Sequence, residues 1–525
     1  MTTKPRGAAA PDPMRRAAAI GLIIGAAVIL FLQAGRRQSH HWDEPVYLYA
    51  AAHYTPKALA GGSFEPGNIP GFFSVKIGHV TILHWMIRLF GQGLHAVVVI
   101  QCIYTMLVLL TCGLVGWWSW LTWRNLHHAI AVGLVALVTP VSIYLGPKLL
   151  SEVPAMFCGM GSLVALGLAL RSTRRIPSAL WTLIGGAALA GAVLCRETAP
   201  LLVATGWGAL FIAAPRGVAR RRILLECSLI AGCAVVLLGV AQWVLHLDFL
   251  HALRSAHALA VMDTPLRQWL KRIVFAFGPL LAVAPFAAFS TRRREAWFYG
   301  LWLAGSVLPL LLSLRYLEER FLVTGVPALA GLAVLGGEVL WQWMGRSAAQ
   351  ILGIGLLAMV AMRANAIIQP RTFYSVDEVA YEEVMDWLGH QPGNRPILIP
   401  WVIGDYHYLR VAYPDAPVYL VDTESLFVAS ATRDDIAQGR AQRFGDTMVR
   451  RVEVDPRQWY GTRYIPDLKA LQALGPAPWW YVTTKVRGRD KTDYSWIWTD
   501  PGLELTLVFD NGQYYVYKVV ATGRG

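Results

Sequence analysis

Four short clusters in this chain combine side chains able to hold, take or neutralise charge. The first, His40-His41-Trp42-Asp43-Glu44-Pro45-Val46-Tyr47, sets two carboxylates side by side among imidazole and aromatic groups. The second, Gly71–Gly91, carries Lys76, His79 and His84 in an otherwise apolar segment. The third pairs Lys148 and Glu152 with Arg196-Glu197, two short polar islands between apolar runs. The fourth is Arg315-Tyr316-Leu317-Glu318-Glu319-Arg320-Phe321. Carboxylates are suited to drawing a proton from a hydroxyl that does not ionise at neutral pH. Lysine and arginine beside them are suited to clamping a phosphate. Each cluster also has a plainer reading. Asp43 and Glu44 could cap a helix start, where the macrodipole favours acids. Lys76 could snorkel from an interfacial helix, and the other two clusters could be loop ion pairs or a solvated face.

The elements that must position these residues are set by the apolar part of the chain. Of 525 residues, 55 % are hydrophobic and only 15 % charged, with a mean hydropathy of +0.43. Soluble domains carry about 25 % charge, so a water-soluble enzyme, a disordered chain and a fibre are all excluded. Residues 1–370 hold 30 Lys and Arg against 13 Asp and Glu, whereas residues 371–525 hold 17 against 20. The basicity belongs to the apolar part, which argues for a membrane surface and against nucleic acid.

A helix needs about 20 apolar residues to cross the hydrocarbon core. Eleven candidate spans are expected near 17–34, 94–116, 129–145, 153–170, 179–194, 200–213, 223–245, 272–290, 297–312, 321–343 and 350–368. The connections 1–16, 117–128, 171–178, 214–222, 291–296 and 344–349 hold 16 Lys and Arg in 57 residues; the opposite set holds 12 in 105. The positive-inside rule places the first set, and the N-terminus, in the cytoplasm. Nothing at the N-terminus reads as cleavable, and 17–34 reads as a retained anchor. Nine of the 13 acids before residue 371 then fall on the outer side: Asp43, Glu44, Glu65, Glu152, Glu197, Asp248, Asp263, Glu318 and Glu319. All four clusters share that side, so a single bundle would bring them to one outer vestibule. A phosphate held at that depth is most simply a lipid head group. The six cysteines, Cys102, Cys112, Cys158, Cys195, Cys227 and Cys233, lie in or beside spans and read as packing residues.

Past residue 370 the pattern changes to short β-like runs at 396–400, 417–421, 479–483, 503–509 and 513–520, with a hairpin signal at Asp510-Asn511-Gly512. Glu378–Leu388 has helical spacing, with Val379, Val384, Trp387 and Leu388 on one side. A soluble C-terminal α/β domain over 371–525 is expected on the outer face. It holds 13 of the 20 Tyr and 7 of the 21 Trp, aromatics that a small core and a membrane-facing rim require before any sugar-binding face is invoked.

With these motifs in place, the chain resembles the GT-C membrane glycosyltransferases, in the branch of the protein O-mannosyltransferases and lipid A aminoarabinose transferases. The resemblance rests on Trp42-Asp43-Glu44-Pro45-x-Tyr47-x-x-Ala50, then Lys76-Ile77-Gly78-His79 through Trp85 to Leu89-Phe90-Gly91. It continues with Ser151-Glu152-Val153-Pro154 and with Arg320-Phe321 followed by Pro327. It covers most of 1–370 loosely, and the tail only in kind. The chain departs from the pattern where Ile77-Gly78 stands in place of a usual Pro, and where Glu152 stands for the commoner Asp. The resemblance implies a polytopic α-helical protein of about 11 spans in the plasma or inner membrane, with its C-terminal domain outside. It also implies transfer of a sugar from a polyprenyl-phosphate donor to an acceptor hydroxyl, with inversion. Asp43 would be the general base, Glu44 its neighbour in acceptor or metal contacts, and Glu152 the second acid. Lys76, Arg196 and Arg320 would meet the donor phosphate, and His41, Trp42, Tyr47, His79, Lys148, Arg315 and Tyr316 would line donor or acceptor. The acceptor could be a glycan, a lipid or a protein. Asp43, Glu152 and His79 are also ligand types for a divalent cation, although no spacing requires one. A transporter or flippase of a lipid-linked sugar is the alternative, and a non-catalytic assembly protein a third reading. Transporters are expected to show two similar halves and ionisable groups at the midplane; this chain shows neither.

Overall fold

The computed structural model describes residues 40–41, 43–62, 73–215, 217–248, 266–313, 318–345, 375–376, 378–393, 395–400, 405–421, 428–430, 437–444, 447–451, 463–484 and 496–522. The expected spans at 17–34 and 350–368, and the domain boundary near 371, lie outside them.

Helix α1 (Asp43–His53) opens on two acids and a proline, residues suited to a helix N-terminus. The short α2 (Pro56–Ala60) is capped by Thr55, whose Oγ1 accepts from the Ala58 N–H at 3.2 Å. A 3₁₀ turn at Ser74–Lys76 leads into α3 (Ile77–Phe90), which buries Ile77, His79, Val80, Leu83 and Ile87 while leaving Trp85 and Leu89 exposed. Then come α4 (Leu94–Trp123), α5 (Leu126–Val138), α6 (Pro140–Leu145), α7 (Glu152–Arg171), α8 (Arg175–Cys195), α9 (Ala199–Ile212) and α10 (Arg220–Leu245). They are followed by α11 (Leu266–Phe277), α12 (Leu280–Val283), α13 (Arg293–Ser313) and α14 (Glu319–Gly345), whose first turns are 3₁₀.

Among the described residues five helices are long and apolar enough to cross a membrane: α4, α7, α8, α10 and α14. A sixth span results if Trp269–Phe277 and Leu280–Phe289, which meet at 90°, are counted as one. Two expected spans are therefore broken. The run at 272–290 turns at Gly278-Pro279: Gly278 takes φ +57°, which favours glycine, and proline cannot continue the ladder. The run at 129–145 is interrupted at Thr139, ahead of Pro140, because the residue before a proline avoids helical backbone. The short pair α8 and α9 remains two helices, separated at Arg196-Glu197-Thr198. Helix α10 turns Leu224, Leu225, Leu229, Val235, Val236 and Trp243 outward, the apolar surface a lipid-facing helix presents.

Beyond the helices, β3 (Ile397–Ile399), β4 (Val418–Leu420), β8 (Trp479–Thr484), β9 (Leu503–Asp510) and β10 (Tyr514–Ala521) form one sheet in the order β4-β3-β8-β10-β9. Pairing is parallel among β4, β3 and β8, and antiparallel from β8 through β10 to β9. The β9–β10 turn falls at Asp510-Asn511-Gly512, as its residues predict. Strands β5 (Val428–Ser430), β6 (Ala441–Phe444) and β7 (Thr447–Arg451) make a second, antiparallel sheet. Helix α15 (Glu378–Gly389) buries Ala380, Tyr381, Val384 and Leu388. The expected face was set wrongly at one position: Val379 is 44 % exposed, because the i, i+4 row through 380, 384 and 388 points inward instead.

The sheet region is fastened to the helices. Strand β1 (His40–His41) pairs with β2 (Ser375–Val376), directly ahead of the acid pair. Helix α16 (Asp405–Ala412) packs on α1, with the Tyr49 ring 4.7 Å from His407 and 6.1 Å from Tyr406. The Val411 carbonyl accepts from the Gly93 N–H at 2.8 Å, and Gln101 of α4 donates to Glu378 of α15 at 3.2 Å. One continuous buried cluster runs from Tyr47 and Leu163 through Val384 and Ile399 to Val516.

Candidate active site

Two helix starts meet at the acid pair. Helix α1 begins at Asp43-Glu44 and α7 at Glu152, so three carboxylates occupy first turns, where backbone N–H groups and the macrodipole favour anions. All three are buried: Asp43 is 2 %, Glu44 0 % and Glu152 1 % exposed. Carboxylates removed from water require charged partners. Arg320, at the start of α14, places Nη1 2.6 Å from Asp43 Oδ2 and Nε 3.3 Å from Glu152 Oε1, and also bridges Glu318. Arg196, between α8 and α9, places Nη1 3.0 Å from Glu152 Oε1 and donates to Ser151 Oγ at 3.0 Å. The Phe321 ring lies beneath both guanidinium groups, 4.8 Å from Arg196 Cζ and 5.4 Å from Arg320 Cζ.

Adjacent in sequence, Asp43 and Glu44 have different partners. The Leu149 N–H donates to Glu44 Oε2 at 2.7 Å, and Lys148 Nζ lies 3.9 Å from Glu44 Oε1. Glu44 thereby anchors Lys148-Leu149-Leu150, a stretch without regular structure that leads into α7.

Lys76 closes the 3₁₀ turn before α3, its Nζ 5.6 Å from the Tyr47 ring centre. Burial holds its ammonium below the ordinary lysine range, while Asp43 and then Glu197 draw it back up. The His79 ring packs edge-on to Tyr47 at 4.8 Å, and its Nδ1 shares a hydrogen bond of 2.9 Å with the Tyr104 hydroxyl. Burial pushes His79 down to about 3, so the imidazole is neutral at physiological pH. Burial and then Asp43 raise the Tyr47 phenol well above its usual value, so it stays protonated.

A small apolar cavity of about 30 Å³, room for roughly one water, lies beside Glu152, lined by Val108, Cys112, Val115, Met156, Val323 and Val326. Among the described residues no group of three or more His, Cys, Asp or Glu side chains gathers as a metal site would. The six cysteines are free thiols, buried or half-buried in the helices.

The structure thus brings together Asp43, Glu44, Tyr47, Lys76, His79, Lys148, Glu152, Arg196 and Arg320, drawn from five separate stretches of chain. Trp42, Arg315 and Tyr316 lie outside the described residues, and of His41 only the backbone, in β1, is described. Sequence reasoning passed over Tyr104 and Gln101, polar residues inside an apolar run. A Gln in a span is itself a signal, since an unsatisfied amide is costly in hydrocarbon. A second, half-buried ion network sits at the other end of the bundle, where Arg292 bonds Glu295 at 2.8 Å and Glu338 at 3.1 Å beside His128. Eighteen residues of α14 separate Arg320 from Glu338, about 27 Å at helical rise.

The polytopic helical body, the charged cluster at one end of it and the small sheet packed above define a membrane protein with the GT-C fold. The comparison carrying that statement is with ArnT, a lipid A aminoarabinose transferase, from Cupriavidus metallidurans. In the apo state ArnT superposes with a TM-score of 0.58 at 14 % identity, over 96 % of this chain and 98 % of that one. ArnT bound to undecaprenyl phosphate gives 0.57 at 14 % identity, over 95 % and 97 %. A looser likeness, TM-score 0.48 at 13 % identity over 76 % and 64 %, is to the archaeal oligosaccharyltransferase AglB from Archaeoglobus fulgidus, in complex with an inhibitory peptide and a dolichol-phosphate. No protein-family model matches the chain, and no curated protein matches it by sequence.

Proposed function

We propose that this protein transfers a sugar from a polyprenyl-phosphate donor to an acceptor hydroxyl, with inversion, on the extracytoplasmic face of the membrane. The observation that carries the reading is the buried network of Asp43, Glu152, Arg196 and Arg320, with Lys76 at its edge, inside a fold shared with ArnT. Undecaprenyl phosphate is a ligand of ArnT; the cationic group here has the charge to receive a phosphate. The distribution of Lys and Arg supports an inward N-terminus, and an odd number of crossings would set the C-terminal domain over 371–525 outside.

The chemistry follows from the pairing. With no donor bound, Arg320 neutralises Asp43, and an ion-paired carboxylate is a poor base. A donor phosphate competes with Asp43 and Glu152 for Arg320 and Arg196, in bidentate geometry that suits guanidinium. As Arg320 turns to the phosphate, the Asp43 carboxylate regains basicity. The acceptor oxygen attacks the anomeric carbon, its proton passes to Asp43, and the bond from that carbon to the phosphate oxygen breaks. The electron pair leaves with the polyprenyl phosphate, whose charge Arg196, Arg320 and Lys76 stabilise. One displacement inverts the configuration. Glu44, tied to Leu149 and Lys148, holds the α7 loop and takes no proton.

Purified full-length protein given a sugar-loaded polyprenyl phosphate should release free polyprenyl phosphate in the presence of acceptor. Donor that stays intact and only changes leaflet would instead identify a flippase.

A further inference from the structure

The end of α1 opposite to Asp43 carries a second cationic site with a different character. Arg410, in the last turn of α16, is 7 % exposed. Its Nε and Nη1 are buried with no hydrogen-bond partner among the described residues, and it makes no ion pair there. Every other deeply buried arginine described in this chain, Arg196 and Arg320, lies against a carboxylate. A guanidinium withdrawn from water without a counter-charge costs several kcal/mol by general estimate, and among the described residues Arg410 has no carboxylate to offset that cost.

The surroundings point the same way. His53 ends α1, stacks on Tyr49 at 4.3 Å and bonds the Tyr49 carbonyl through Nδ1 at 3.0 Å. Tyr49 in turn meets Tyr406 and His407 of α16, and the Tyr406 hydroxyl accepts from the Arg463 N–H at 2.9 Å. The side-chain charges felt by His53 and Tyr406 are cationic: Arg410 at both, joined by Arg463 at Tyr406. The acid on the same helix, Asp405, is turned to Tyr381, and burial pushes its carboxyl well above the usual carboxylate range. Exposure rises from buried Arg410 through half-buried His53 to exposed Arg463, which gives an anion a way in. The last-turn position of Arg410 complements the α16 dipole and its side chain hydrogen-bonds the Tyr406 hydroxyl, but neither interaction supplies a counter-charge or a partner for Nε and Nη1.

We propose that Arg410, His53 and Arg463 form a binding site for an oxyanion, a phosphate or carboxylate group. Asp43 and His53 are ten residues apart on α1, about 15 Å at helical rise. An acceptor whose reacting hydroxyl reached Asp43 would therefore meet this site with an anionic group about 15 Å away. That assignment of the anion to the acceptor rests on the transferase reading; the anion site itself does not.

The test is a phosphate titration of the full-length protein in neutral-lipid nanodiscs, followed by thermal unfolding and by calorimetry. Wild type should bind inorganic phosphate at two sites, one lost in Lys76→Ala and the other at least tenfold weaker in Arg410→Gln. Arg410→Lys should recover part of that binding. In phosphate-free buffer Arg410→Gln should unfold no lower than wild type, because it removes an unpaired charge. If Arg410→Gln lowers the unfolding temperature and leaves phosphate binding unchanged, Arg410 is a structural cation and the proposal is overturned. Repeating the titration in phosphatidylglycerol nanodiscs separates the sources. Phosphate that no longer binds the Arg410 site there identifies a lipid head group as the occupant; unchanged binding identifies a soluble or acceptor-borne anion. Loss of sugar transfer with the Arg410-dependent site intact would sink the transferase reading alone.

Discussion

Asp43 and Glu44 have the same chemistry and opposite fates, because one faces Arg320 and the other the Leu149 amide. Asp43→Asn preserves shape and removes the basic oxygen. Transfer should fall about 100- to 10,000-fold, the range of general base contributions, while polyprenyl phosphate still binds within a fewfold of wild type. Measuring release of the lipid and its affinity side by side separates the two effects, and equal loss of both would remove Asp43 from the role of base. Lys76 offers a pH test. Only the ammonium form attracts phosphate, and burial has moved its pKa below the ordinary lysine value of about 10.4. Donor affinity should accordingly be constant at low pH and weaken as pH rises through that lowered value. Lys76→Arg should remove the alkaline limb; a wild-type affinity that stays flat to pH 10 would place Lys76 away from the phosphate.

At the scale of the helices, close approach decides where the site-bearing α14 sits. A side chain at Gly336 would put its Cβ 2.1 Å from the Val283 carbonyl oxygen, at the bent α11–α12 elbow, whereas Gly337 next to it has nothing within 4 Å. Gly336→Ala should destabilise by about 1–3 kcal/mol, the usual range for overpacking, and Gly337→Ala should be close to neutral. Thermal unfolding of the pair checks this, and equal effects would mean that α14 does not rest on that elbow. The elbow also shows how far a pattern of apolar residues can be read. The 272–290 run has the composition of one span, but Gly278-Pro279 gives the backbone a turn that hydropathy does not register. At α15, similarly, Val379 is apolar enough for the buried side, and only the neighbours decide that Ala380 takes it.

For the whole molecule, the sheet region and the helices share a core and act as one body. Gln101 and Glu378 join a long helix to the first helix beyond the spans, and β1 joins β2 just before Asp43. Gln101→Leu should cost about 1–3 kcal/mol, the penalty for a buried polar group deprived of a bond, and should lower the unfolding temperature of helices and sheet together. Following helix content by far-UV circular dichroism and the Trp387–Trp480 contact by near-UV signal gives the readout. Two separate transitions would show that the parts are independent. The β1–β2 pairing gives the sheet region a role in placing the acid pair that no local pattern in 371–525 discloses.

Composition alone determined that this chain lives in a membrane, because 55 % hydrophobic residues cannot be hidden in a soluble body of this size. The same arithmetic isolated the few acids and bases worth attention, since charge is costly near hydrocarbon and so is rare there. Periodicity and turn residues located the five strands of the larger sheet and the β9–β10 hairpin, which depend on local backbone preference, but not the short strands β1, β2 and β5 to β7. What the sequence left open is pairing: which of several cations meets Asp43, that Glu44 turns to a backbone amide, and that Arg410 meets no carboxylate among the described residues. Those are matters of distances between segments as much as 277 residues apart, set by helix packing and not by any local preference.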